Sequence, residues 1–191
     1  MPNRILLLVG ALALAGASLA FGAAGARDYS WQLTPTGSTA RLRGLSAVSA
    51  EVAWTSGSLG TVLRTVDAGE TWQQVSPPDT AALQFRDIEA FDADHAVILA
   101  IGPGDDSRVY VTSDAGQHWT LTFVNDDPNA FYDCMAFFDR KRGLALSDPV
   151  DGRFRIIATS DGGRSWRVVQ GDMPPALPGE FAFAASGQCL V

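Results

Sequence analysis

The sequence has few of the residues that form metal and redox sites. Two cysteines, Cys134 and Cys189, and two histidines, His95 and His118, occur in 191 residues. Paired-cysteine, zinc-protease and glycine-rich phosphate motifs are all absent, so zinc and phosphate-loop chemistry has no support. We therefore expect no metal site and no cofactor. The two cysteines fit either one disulfide in an exported chain or two buried thiols, and the sequence leaves both alternatives open.

Positive charge is also scarce. The chain has 14 basic residues against 21 acidic ones and a net charge of −7. Lys141 is its only lysine, and the longest run of basic residues in the mature region is the three at 140–142. This charge pattern excludes nucleic acids and anionic membrane surfaces as expected partners. The hydrophobic fraction of 47% is sufficient for a globular core.

The N-terminal residues have the composition of an export signal. Arg4 precedes an apolar stretch over residues 5–20, and Ala-Gly-Ala at 24–26 forms a small-x-small cleavage site. A retained membrane anchor is the alternative, since the apolar stretch is just long enough to span a bilayer. We expect cleavage, which makes residues 1–26 a signal peptide. Residues 27–191 would then be an exported domain, periplasmic, cell-surface or secreted, without a stable membrane anchor.

Three segments of eight residues, spaced 47 residues apart, carry the strongest pattern in the chain. They cover residues 65–72, 112–119 and 159–166, and each reads Thr-x-Asp-x-Gly-x-(Thr/His/Ser)-Trp. A fixed period of this length indicates an array of equivalent supersecondary units. In each segment, called a box below, we expect Asp to accept turn hydrogen bonds, Gly to adopt a positive φ and Trp to pack between sheets. The residues assigned these structural roles are Asp67, Gly69, Trp72, Asp114, Gly116, Trp119, Asp161, Gly163 and Trp166.

Short runs of β-forming residues on both sides of each box predict four antiparallel strands per repeat. The expected fold is all-β, a β-propeller of four-stranded antiparallel blades. Three blades are predicted at about 41–80, 81–128 and 129–175, with the start of a fourth at 180–191. Residues 30–35 resemble a fourth strand and are expected to close the last blade.

The number of repeats predicts only part of a ring. About three and a half blades are expected here, against the six or seven of a complete propeller of this kind. An incomplete ring leaves open sheet edges, which folded proteins avoid. We therefore interpret the sequence as a fragment and expect it to self-associate.

The boxes resemble Asp-box repeats, also called bacterial neuraminidase (BNR) repeats, which occur in sialidases and other propellers. The run 131–166, with its segments 143–149 and 161–166, resembles the photosystem II stability/assembly factor-like family of exported bacterial propellers. This resemblance implies a non-enzymatic scaffold that binds a protein partner or assists assembly. The alternatives are a sialidase-like glycan hydrolase and an oxidoreductase on the same scaffold, although no cofactor motif supports the latter.

The candidate binding residues lie at the start of the predicted inner strands. Arg43 and Arg86 start the first strand of two successive blades, and Tyr132 is interpreted as starting that of the third. We expect these side chains to face the mouth of a central channel. In a sialidase-like site an arginine cluster binds a carboxylate and a tyrosine is the nucleophile, with Asp133 and Glu89 as candidate acids. The alternative is that these residues only line the channel and pair with neighbouring acids, and we assign no catalytic residue.

Six aspartates fall in loops that are expected on the same face as the channel mouth. They are Asp105, Asp106, Asp126, Asp127, Asp148 and Asp151. Asp148 and Asp151, in the predicted loop 147–152, are assigned as ligand- or partner-binding residues. Hard cations such as calcium need several oxygen ligands in one place, but this spacing matches no known calcium loop. Solvated turn aspartates are therefore the favoured interpretation.

Overall fold

The computed structural model describes residues 30–171, 173, 175–183 and 190. The predicted signal peptide and most of the predicted start of a fourth blade lie outside these residues. No helix within the described ranges is long and apolar enough to cross a membrane. Apart from one 3-10 turn at Gly104–Asp106, the regular structure of the described residues consists of β-strands.

Twelve strands of the described residues form three four-stranded sheets, each connected in sequence order. Every neighbouring pair of strands is antiparallel. Blade 1 consists of β1 Leu42–Ala47, β2 Ala53–Gly57, β3 Val62–Thr65 and β4 Gln73–Gln74. Blade 2 consists of β5 Gln84–Ala90, β6 Ala96–Ile101, β7 Arg108–Thr112 and β8 Thr120–Val124. Blade 3 consists of β9 Tyr132–Phe137, β10 Gly143–Val150, β11 Arg153–Thr159 and β12 Arg167–Val168.

The second strand of blade 3 is longer than the sequence predicts. β10 continues through Pro149 and Val150, which pair with Phe154 and Arg153 after an irregularity in the register. Proline has no N–H to donate. It is tolerated beside a bulge because the hydrogen-bond ladder is already interrupted there. The prediction of a loop over 147–152 is therefore wrong, and Asp148 belongs to a strand.

The closing strand and the fourth blade stay predictions. Residues 30–36 belong to no strand, and the side chains of Trp31 and Leu33 are almost completely exposed. Residues 181–183 are not in a strand either, and residues 184–189 lie outside the described part of the chain. The expected self-association likewise remains untested.

Two apolar cores lie at the junctions between successive blades. The first combines Trp54 and Val62 of blade 1 with Ile88 and Ile98 of blade 2. The second combines residues such as Val97, Leu99 and Val109 of blade 2 with Met135 and Ile157 of blade 3. The inner strands β1, β5 and β9 contact one another in that order. Each sheet thus buries one face against the next blade, as the repeated packing of a propeller requires.

The three boxes form the same hydrogen-bonded turn. In the first box Thr65 Oγ1 donates to Asp67 Oδ1 at 2.7 Å and accepts from the N–H of Gly69 at 3.0 Å. Asp67 in turn accepts from the backbone N–H and the hydroxyl of Thr71, at 2.9 and 2.6 Å. These bonds hold the pKa of Asp67 at about 2, below its usual range.

The second and third boxes repeat this pattern with small changes. Ser165 of the third box donates to Asp161 in the same way. In the second box His118 takes the place of the hydroxyl residue, with Nδ1 2.6 Å from Asp114 Oδ2. The glycine of each box has a positive φ, between 81° and 83°, which a residue with a Cβ resists. The boxes are therefore structural turns, and His118 completes one of them.

Candidate functional site

The topology of the blades sorts the loops onto two faces. The boxes and the turns between first and second strands lie on one face, called the box face. The turns between second and third strands and the connections between blades lie on the opposite face, called the mouth face. The first residues of β1, β5 and β9 reach the mouth face because these strands begin where β2, β6 and β10 end.

A bulge occurs at the same place in each inner strand. The register skips Arg43 in β1 and Arg86 in β5. In β9 it skips Asp133, since Ser147 pairs with Tyr132 while Leu146 pairs with Cys134. A bulge redirects the side chain of the extra residue. Arg43, Arg86 and Asp133 are therefore the equivalent residues of the three blades.

Tyr132 is consequently not the third member of this set, and its prediction as a mouth residue is wrong. Its side chain is completely buried, and its ring packs edge-on against Phe123 with centroids 5.3 Å apart. Its hydroxyl accepts a hydrogen bond from Arg155 Nε at 3.3 Å. Burial raises the pKa of Tyr132, and the Arg155 guanidinium opposes that rise. Tyr132 thus belongs to the core of blade 3.

Three arginines converge on one concavity of the mouth face. This arginine concavity has a volume of about 320 Å³, and its lining residues are Thr39, Arg41, Arg43, Ser58, Leu59, Gln84 and Arg86. No acidic side chain is among these residues. Burial lowers the pKa of Arg86, and repulsion from the nearby Arg43 guanidinium lowers it further. Such a pair of adjacent cations favours an anion between them.

A second concavity continues from the first, because Arg43 and Arg86 line both. This mixed concavity has a volume of about 430 Å³ and is lined by Arg43, Arg86, Ile101, Phe131, Asp133, Asp148, Ala182 and Phe183. Asp148 Oδ1 accepts a hydrogen bond from the N–H of Ala182 at 2.8 Å. Burial nevertheless raises the pKa of Asp148. The mouth therefore combines an arginine-rich half with a half that contains aromatic and acidic side chains.

Asp151 does not join this site. It lies in the turn between β10 and β11 with a φ of 50° and is exposed. It lines a separate concavity of about 300 Å³ together with Arg153 and Arg155. Of the predicted binding residues, the structure brings together Arg43, Arg86 and Asp148 and separates the other two.

Three of the remaining loop aspartates pair with arginines. Arg155 lies 3.5 Å from Asp126 and 3.1 Å from Asp127, and Arg108 lies 3.6 Å from Asp105. Within the described part of the chain, no three histidine, cysteine, aspartate or glutamate side chains lie close enough to hold a metal ion. Asp105, Asp126 and Asp127 thus act as partners of arginine.

Sequence reasoning missed Arg41. It lies two residues before Arg43 and lines the same concavity. The signal in the sequence is the spacing itself, because Arg41 stands two residues before an arginine already assigned to the mouth.

Cys134 is disulfide-bonded and completely buried. The chain contains one other cysteine, Cys189, which lies outside the described residues. The alternative of a buried free thiol at Cys134 is thereby wrong.

Comparisons with known proteins support the fold. No family profile and no curated protein matches the sequence. The solved structure of YCF48 bound to a D1 peptide aligns with a TM-score of 0.58 and 19% identity, over 76% of this chain and 46% of that one. YCF48 from Cyanidioschyzon merolae aligns with a TM-score of 0.55 and 20% identity, over 76% and 44%. An ancestral GH74 enzyme aligns with a TM-score of 0.49 and 15% identity, over 69% and 18%.

The chain therefore spans less than half the length of the YCF48 structures that it matches. At these identities the likeness establishes the fold and leaves the activity open. The three four-stranded sheets, the cores between them and the two YCF48 alignments all indicate the same fold. The described part of this chain is a set of three successive blades of a β-propeller.

Proposed function

We propose that this chain belongs to an exported, non-enzymatic propeller scaffold that binds a protein partner through the mouth face. The observation that carries the proposal is the convergence of Arg41, Arg43 and Arg86 on one open concavity. Arginine binds carboxylates in a fixed, bidentate geometry, which makes it the preferred residue for recognising them. The expected ligand group is therefore a carboxylate of the partner.

The mixed concavity favours a peptide over a small ligand. It continues from the arginines past Phe131 to Phe183, whose side chain is 79% exposed. A carboxylate on the arginines would place the preceding side chains of a peptide against these rings, and exposed aromatic residues are frequent anchors at protein interfaces. YCF48, which shares the fold, has been solved with a bound D1 peptide. That precedent supports peptide binding, and the partner of this chain is unidentified.

Export is part of the same proposal. It rests on the composition of residues 1–26 and on the disulfide at Cys134, since disulfides persist in oxidising compartments. The sequence resemblance to exported propellers points in the same direction.

A sialidase-like hydrolase is less well supported. The only tyrosine considered as a nucleophile, Tyr132, is buried and bonded to Arg155. A nucleophile must reach the substrate, and Tyr132 does not line either mouth concavity. The oxidoreductase alternative has no cofactor motif to support it.

The arginine concavity is tested with a library of random heptapeptides that carry a free C-terminal carboxylate. We expect the immobilised protein to capture a subset of them. Arg43→Ala and Arg86→Ala should each weaken binding of the captured peptides about 10-fold or more, since one charge-assisted hydrogen bond contributes about 1.5–3 kcal/mol. Fluorescence anisotropy with labelled peptides measures this change.

Arg142→Ala is the matched control. Arg142 is exposed on the box face, paired with Asp139 at 2.7 Å, and its replacement changes the net charge equally. Binding should be unchanged in this variant. Failure to capture any peptide, or equal losses in all three variants, would exclude the arginine concavity as the binding site.

A further inference from the structure

A concavity also lies on the box face, at the junction between blades 2 and 3. Its volume is about 230 Å³. Phe91, Ala96, Val97 and Val111 of blade 2 form its apolar part. Ala96 and Val97 are almost completely buried, so the half-buried side chains of Phe91 and Val111 are the apolar surface that a ligand can reach.

The opposite wall comes from blade 3 and is positively charged. It contains Arg140, Lys141 and Arg164, with the backbone of Gly162 between them. Within the described residues, neither Lys141 nor Arg164 forms an ion pair with a carboxylate. A chain with a net charge of −7 thus places three cations beside one apolar space.

The junction between blades 1 and 2 explains why this space is open. There Trp54 pairs with Arg64 across β2 and β3, as Val97 pairs with Val111 across β6 and β7. Trp54 is completely buried, and Arg64 reaches across the junction to the carbonyl of Ala93 at 2.5 Å. Val111 is much shorter than Arg64 and leaves part of that space open. The volume of Trp54 is taken up in part by Phe137, the counterpart of Ala90.

The charge of the wall changes between the two junctions as well. The carbonyl of Asp94 accepts from the N–H of Ala115 in blade 2, as the carbonyl of Lys141 accepts from the N–H of Gly162 in blade 3. Lys141 is therefore the counterpart of Asp94, which at the first junction lies 3.8 Å from Arg64. The 47-residue period also makes Arg164 the counterpart of Gln117. The first junction thus has an acidic and a neutral residue where the second junction has two cations.

Arg140, the third cation of the wall, is held in place by hydrogen bonds to blade 2. Asp92 Oδ2 accepts from Arg140 Nη1 at 2.7 Å, and the carbonyl of Phe91 accepts from Arg140 Nη2 at 2.6 Å. Asp92 Oδ1 lies 2.8 Å from Nδ1 of His95, which also lines the concavity. These contacts fix the guanidinium before any ligand arrives, which reduces the entropy lost on binding.

We propose that this concavity binds a small organic anion. Its apolar body would lie against Val111 and Phe91, and its carboxylate would contact Lys141 and Arg164. A volume of about 230 Å³ suits a ligand the size of an aryl carboxylate, with one anionic group at the end of one ring. The site lies on the face opposite the mouth and shares no lining residue with the mouth concavities. The two proposals can therefore be tested independently.

Phenylacetate is a suitable probe, with phenylacetamide as its neutral counterpart and acetate as the anion without a ring. We expect phenylacetate to bind with a Kd of about 1 mM, as is usual for a ligand of about ten heavy atoms. The amide and acetate should each bind at least 10-fold more weakly. NMR titration of the valine methyl signals measures the affinity and also locates the ligand, because the half-buried Val111 should shift first.

Two exchanges between repeats test the residues without disturbing the core. Lys141→Asp and Arg164→Gln each introduce the residue of the first junction at an exposed position. Each should weaken phenylacetate at least 5-fold, while Arg142→Ala, in the same turn but outside the concavity, should not. Equal affinity for phenylacetate and phenylacetamide would overturn the proposal. Unchanged affinity in both exchanges would overturn it too. So would the absence of a Val111 shift at 20 mM probe, about 20 times the expected Kd.

Discussion

Trp54→Ala is expected to lower the free energy of unfolding by about 3–5 kcal/mol, the usual cost of truncating a buried tryptophan. Trp54 is completely buried between blades 1 and 2 and meets Trp119 edge-on with ring centroids 6.4 Å apart. Its Nε1 donates to the carbonyl of Asp92 at 3.1 Å. Alanine removes these contacts and leaves a cavity at the junction.

The matched control is Trp31→Ala. The Trp31 side chain is 101% exposed, so its loss should change stability by less than about 0.5 kcal/mol. Urea unfolding followed by circular dichroism measures both variants. In a domain of this size the melting temperature of Trp54→Ala should fall by about 10 °C. A loss below about 1 kcal/mol would mean that the junction is not a packed core.

The stability of the protein is expected to fall as the pH rises from 4 to 7, because of Asp87. Burial raises the pKa of this carboxyl to about 7, although the N–H groups of Met135 and Ile88 donate to it and oppose the rise. In the unfolded chain Asp87 ionises near its usual pKa of 3.8. Between these two values the folded state retains a proton that the unfolded state has lost. Each pH unit of that interval lowers the free energy of unfolding by about 1.4 kcal/mol.

The box aspartates act in the opposite direction but outside this window. Hydrogen bonds lower the pKa of Asp67 and Asp114 to about 2, so the stability that they contribute is lost only as the pH falls below about 4. We therefore expect the wild type to be about 2–4 kcal/mol more stable at pH 4.5 than at pH 8. Urea unfolding at the two pH values measures the difference.

Asp87→Asn should remove at least half of that pH dependence. Asp105→Asn, at a side chain that is 78% exposed beside Arg108, should retain it. A wild-type protein whose stability rises between pH 5 and 8 would show that Asp87 is ionised in the folded state and would contradict this account.

The repetitive part of the fold could be predicted from the sequence. The runs of β-forming residues at 96–101, 108–112 and 153–159 predict strands with the bounds of β6, β7 and β11, since turn residues delimit those runs on both sides. The turns formed by the boxes could also be predicted, because the roles of their Asp and Gly residues depend on local hydrogen bonds and on a positive φ. Local interactions of this kind leave a direct trace in the residue pattern.

The candidate site was less predictable because it depends on pairing. Whether Tyr132 or Asp133 follows Arg43 and Arg86 is decided by a bulge in β9, which is a property of the β9–β10 register. The length of β10 is likewise set by its partner β11. The box-face concavity depends on the contrast between Arg64 and Val111 at equivalent positions. That contrast is visible in the sequence only after the register has aligned the two blades.

The most direct test of the central claim compares one captured heptapeptide as the free acid and as the C-terminal amide. Arg41, Arg43 and Arg86 form the proposed carboxylate site at the mouth. Amidation should therefore weaken binding about 10-fold or more in a calorimetric titration, because the charge-assisted hydrogen bonds to the carboxylate are lost. Equal affinity for the acid and the amide would contradict it.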